Sequence, residues 1–138
     1  MGERRETILA VIRVKPKGGK HMRPKVRHIA VMTKNREKMV EFYQKIFGLE
    51  PKRGFGGAIY MSDGDVNIAL IEVKREEQQE GINHFGFEVD DLEDIKRRLH
   101  ESGITAEIDS KADKDSDHRL QDPDGHWVDM AVSRRWPK

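Results

Sequence analysis

The chain has 138 residues, enough for one ordinary domain or two fused half-domains. Basic and acidic residues nearly cancel, 26 against 25, giving a net charge of +1; this lacks the basic excess of a nucleic-acid binder. There is no cysteine, which excludes disulfides, thiolate metal sites and a cysteine nucleophile and is compatible with a cytoplasmic location.

Residues 1–25 differ in character from the rest. Residues 7–14 suit a short strand, and residues 15–20 are a Lys/Pro/Gly linker. The apolar stretch 8–12 is too short for a signal-peptide core, and no apolar run can span a bilayer. His21-Met22 is the dipeptide that a common cloning site leaves, so this segment is either a natural N-terminal extension or a cloning remnant. No function is placed there.

From Val26 the pattern is regular. Residues 26–32 are β-rich and bounded by charge, a strand signature. Over residues 36–47, Met39, Val40, Phe42, Tyr43, Ile46 and Phe47 make one broad helical stripe. Asn35 or Thr33 suits its start and Gly48 its end. Residues 58–61 and 66–73 read as strands joined by the turn Ser62-Asp63-Gly64-Asp65. The order then repeats. Residues 83–89 form a strand and 91–102 a helix with Leu92, Ile95 and Leu99 inward; Gly103 closes it. A strand is expected near 105–108 and a polar loop over 109–117. Residues 118–121 and 126–132 form a hairpin across Asp122-Pro123-Asp124-Gly125.

The chain is therefore one βαβββ unit used twice, over residues 26–74 and 82–133. His28-Ile29-Ala30-Val31 answers His84-Phe85-Gly86-Phe87, and Asp63-Gly64 answers Asp124-Gly125. One unit alone leaves a sheet face uncovered, so two are expected to share a core.

Side chains alternate along a strand. Ile29 and Val31, with Phe85, Phe87 and Val89, are expected to pack on the helices. His28, Ala30 and Met32, with His84, Gly86 and Glu88, then face away from that core. Asn67 and Asp129 occupy matched positions in the last strand of each unit. Each of the four polar residues is followed two positions later by a small one, Ala30, Ala69, Gly86 or Ala131, expected to leave open space for a substrate. Two imidazoles and a carboxylate with open positions suit a divalent metal, including the ferrous site of non-haem oxygenases. Each strand histidine can equally be a satisfied structural residue. Asn67 is either a weak fourth ligand or a hydrogen-bonding wall.

Arg27-His28-Ile29-Ala30, the helix end Phe47-Gly48-Leu49, His84-Phe85-Gly86-Phe87-Glu88-Val89-Asp90-Asp91 and Asp122-Pro123-Asp124-Gly125 together resemble the vicinal oxygen chelate superfamily. That superfamily includes glyoxalase I, methylmalonyl-CoA epimerase, fosfomycin-resistance proteins, extradiol dioxygenases and bleomycin-resistance binding proteins. The resemblance implies an α+β fold in residues 26–133, its two units forming a cupped mixed sheet. It also implies a divalent ion (Fe, Mn, Ni, Co or Zn) on His28, His84 and Asp129, a small oxygen-chelating substrate, and lyase, isomerase or dioxygenase chemistry. A homodimer with no nucleic-acid or membrane partner is expected with it.

The sequence departs from the pattern in four places. Asp129 replaces the usual glutamate, shortening the reach by one methylene, about 1.5 Å. Asn67 stands where glyoxalase I has a glutamate and the epimerase a glutamine. Arg119 stands at the tyrosine of dioxygenase- and fosfomycin-type sites, and Ala69 at the extra histidine of extradiol enzymes. Arg119 is either a cavity cation for a substrate oxyanion or a surface arginine. Trp127 shares the face of Asp129 and either lines the pocket or packs. Glu88 is the candidate catalytic base or supporting residue. The alternative is a metal-free protein that sequesters a small anionic or aromatic compound.

Overall fold

A computed structural model describes residues 23–54, 57–110 and 118–132. The N-terminal segment and most of the expected polar loop lie outside these residues. The first unit comprises β1 (Lys25–Thr33), α1 (Arg36–Phe47), β2 (Glu50–Arg53), β3 (Ile59–Ser62) and β4 (Asn67–Glu72). The second comprises β5 (Gly81–Val89), α2 (Leu92–Glu101), β6 (Asp109–Ser110), β7 (His118–Gln121) and β8 (Trp127–Val132).

Local chemistry fixes the helix ends. The Asn35 side chain accepts from Lys38 N, and Thr33 Oγ1 accepts from Asn35 N, so both expected residues act at the start of α1. Gly48 closes the helix in the left-handed conformation, φ 67°, donating to Gln44 O. Asp91 caps α2 by accepting from Glu93 N at 2.9 Å.

All the strands form one mixed sheet in the order β2-β3-β4-β1-β5-β8-β7-β6. β1 runs parallel to β4, and β5 parallel to β8. The units meet where β1 and β5 pair antiparallel. In this ladder His28 opposes Gly86 and Ala30 opposes His84. The repeat maps His28 onto His84 and Ala30 onto Gly86, so the two pairings are one contact seen from each unit.

Several sequence expectations need correction. β2, with the sequence Glu-Pro-Lys-Arg, has no apolar alternation and was not foreseen; it is an edge strand, where Pro51 is tolerated. The strand expected at 105–108 forms instead at Asp109–Ser110, where it reaches β7. The site-bearing face is also drier than expected. Ala30, Ala58, Tyr60, Ala69 and Ala131 form a buried cluster there, with Ile71 packed against it. On the opposite face Met61, Leu70, Val89 and Met130 are buried, but no residue of α1 is, and Phe42, Ile46 and Phe47 are at least half exposed. The α1 stripe is therefore only partly covered among the described residues.

Candidate metal and substrate site

The register places the site residues in one row. Asn67 in β4 opposes His28 in β1, which opposes Gly86 in β5. Gly86 opposes Asp129 in β8, which opposes Arg119 in β7. His84 stands two residues from Gly86, beside Ala30. Five neighbouring strands thus bring together residues more than a hundred positions apart.

Donor atoms of His28, His84 and Asp129 all lie within 4.8 Å of one another. His84 Nε2 is 3.0 Å from Asp129 Oδ2, and the two imidazoles meet edge to face with centroids 5.3 Å apart. Asn67, His28, Asp129 and His84 are 0%, 2%, 3% and 9% exposed. Burial pushes His28 down to about 4; the His84 charge adds to this and Asp129 opposes it. The imidazole of His28 is therefore neutral at pH 7, the form that ligates metals. Burial pushes the Asp129 carboxyl up, but the His84 hydrogen bond and the charges of His84, Arg119 and His28 hold it below the ordinary value.

The donors fit a divalent ion. Ligand atoms sharing an ion at about 2.1 Å stand about 3–4 Å apart, close to the spacing found here. The Asn83 amide oxygen lies 2.7 Å from His84 Nδ1. A proton held on Nδ1 by that contact leaves the Nε2 lone pair for a metal. Asn67 donates through Nδ2 to Arg27 O at 3.2 Å, and its buried Oδ1 makes no hydrogen bond among the described residues. That oxygen is the right donor type for a fourth position.

The other expected residues take definite places. Arg119 Nη2 is 3.1 Å from Asp129 Oδ1, and its guanidinium lies over the Trp127 ring, 5.2 Å from the centroid. Trp127 and Gln121 also line a cavity of about 580 Å³ with residues 105–110. Glu88 is buried outside the three-donor cluster, its Oε1 3.0 Å from Arg27 Nη2 and its Oε2 without a hydrogen-bond partner among the described residues. The small residues do not leave the expected space. Ala30, Ala69 and Ala131 pack in the Tyr60 cluster, and the room beside Gly86 is taken by the His28 ring.

Arg27 was missed as a site residue. In a regular strand it would face away from His28. A register shift between Val26 and His28 turns it into the sheet seam, where it meets Glu88, Asp65 and, through its carbonyl, Asn67. No sequence signal marks that bulge.

Residues 25–130 match the Glyoxalase/Bleomycin resistance protein/Dioxygenase superfamily, and the chain belongs to that family. It is 34% identical over 91 residues to the trivalent organoarsenical cleaving enzyme of Bacillus sp. (strain MD1), covering 62% of this chain and 55% of that protein. The chain thus spans about half the length of that relative. The 2,2′,3-trihydroxybiphenyl 1,2-dioxygenase of Sphingomonas wittichii strain RW1 superposes with a TM-score of 0.59 at 21% identity, over 82% of this chain and 42% of that one. The methylmalonyl-CoA epimerase of Streptomyces coelicolor gives 0.55 at 17%, over 83% and 97%. These two share the fold while differing in reaction. Among the described residues no helix is long and apolar enough to cross a membrane.

Proposed function

We propose that the chain is a divalent-metal-dependent enzyme whose ion is held by His28, His84 and Asp129 and whose small substrate chelates that ion through adjacent oxygens. The carrying observation is the gathering of three buried donors within 4.8 Å from three strands of two units. A bound ion would supply Lewis acidity to the chelated oxygens. Trp127 and Arg119 would orient the substrate at the rim, and Asn67 would offer Oδ1 as a further ligand or hydrogen-bond acceptor. Glu88 would accept a proton from the chelated substrate on Oε2 while Arg27 fixes Oε1.

The relative named as a trivalent organoarsenical cleaving enzyme raises organoarsenical cleavage as one form of this chemistry. An imidazole–carboxylate set of three donors leaves open positions on an ion that paired oxygens can fill, which supports an oxygen-chelating substrate. We also expect a cytoplasmic homodimer; sedimentation equilibrium returning only monomer would remove the dimer.

A second reading is a metal-free binder. It is favoured by one observation: His84 and Arg119 both pair with the Asp129 carboxylate and balance its charge from the protein's own side chains. One experiment separates the two. The protein is purified anaerobically without chelator or affinity nickel, and bound metal is measured for the parent and His84→Ala. A stoichiometric ion lost in the variant supports the enzyme. No ion, even after adding iron, manganese, nickel, cobalt or zinc, leaves the binder.

A further inference from the structure

Arg119 lies between two carboxylates. Its cross-strand neighbour in β8 is Asp129, and its neighbour in β6 is Asp109. Directly opposed residues share a face of the sheet, so both acids are within a side-chain swing of one guanidinium. The present pairing is with Asp129 at 3.1 Å, yet Asp129 Oδ1 is without a properly directed hydrogen bond among the described residues. The Arg119 side chain is 28% exposed, and Asp109 is exposed beside the Trp127 cavity. A guanidinium on a ligand carboxylate competes with a dication for the same negative charge.

We propose that Arg119 and Asp109, neither of them a ligand, together set the metal affinity of the His28–His84–Asp129 site. Arg119 neutralises Asp129 while the site is metal-free. When an ion takes the carboxylate, the arginine passes to Asp109. Metal loading thereby moves a cation to the cavity wall that Glu107 and Asp109 share with Trp127. This inference rests on the metal reading above.

The sign of the effect makes it testable. Removing a supporting partner of a metal ligand ordinarily weakens binding, by about 10–100-fold. Here, Co(II) binding to the full chain by equilibrium dialysis should tighten about fivefold in Arg119→Met and in Arg119→Gln, the scale of one partly exposed ion pair. Asp109→Asn should weaken it about threefold, the scale of an exposed ion pair. In the double variant Arg119→Met/Asp109→Asn the Asp109 effect should vanish, and Arg119→Lys should stay near the parent. Weaker or unchanged binding in both folded Arg119 variants overturns the proposal, as does an Asp109 effect that persists without the arginine. A parent that binds none of Co(II), Fe(II), Mn(II), Ni(II) and Zn(II) sinks the metal reading itself; a bound ion with unshifted affinities sinks only this inference.

Discussion

Gly86 makes room for His28. The two residues oppose each other across the β1–β5 seam, and a Cβ built on Gly86 would lie 2.4 Å from His28 Cε1 and 2.6 Å from Nε2. No side chain fits there while the imidazole keeps its place.

Gly86→Ala should therefore displace the His28 ring. The expected cost is about 1–3 kcal/mol of stability, as for other overpacked cores, with loss of metal binding. Denaturant unfolding and Co(II) titration measure the two effects. In a His28→Ala background the same change should cost little, because the obstructing ring is gone. An equal cost in both backgrounds would refute the steric account.

The metal-free protein should lose stability as pH falls from 6.5 towards 4. His28 is held at about 4 in the fold against 6.5 as its ordinary value, so between these values the unfolded chain binds the extra proton. Stability thus rises with pH through this window, by about 3 kcal/mol for the whole shift. Asp129, whose carboxyl is held low, acts in the same direction, but below 3.8. Urea unfolding at several pH values should show the slope, flattened in His28→Leu.

Arg27 and Glu88 should behave as a coupled buried pair. Their side chains are 11% and 3% exposed and 3.0 Å apart. Arg27→Met strands the Glu88 carboxylate and should cost about 3–5 kcal/mol, whereas the double variant Arg27→Met/Glu88→Met should recover most of it. A double variant as unstable as the single would mean that Arg27 acts through Asp65 or its packing instead. If Glu88 handles the proton, the recovered double variant should remain inactive.

Asp91→Ala should destabilise α2 by about 1 kcal/mol, since it removes the acceptor for Glu93 N. Asp91→Asn should retain most of the stability, because asparagine caps equally well. Thermal unfolding of both separates the cap from the negative charge.

The sequence by itself determined the local pieces. The apolar stripe and its caps bounded α1 at residues 36–47, where the helix forms. The doubled His-x-Ala/Gly motif located the two central strands, and period-two alternation placed His28, Asn67, His84 and Asp129 on one shared face, away from the helices. Short-range periodicity and turn chemistry are written in neighbouring residues, so they are legible one segment at a time. Only the tertiary structure decided which sheet face is the drier one, because alternation separates two faces without saying what covers either. Only the seam register revealed that Ala30 and Gly86 are small because each lies opposite the other unit's histidine. The bulge that turns Arg27 onto Glu88 and the ladders that place Arg119 between Asp129 and Asp109 were likewise set by strand pairing. Such long-range pairings depend on the whole sheet.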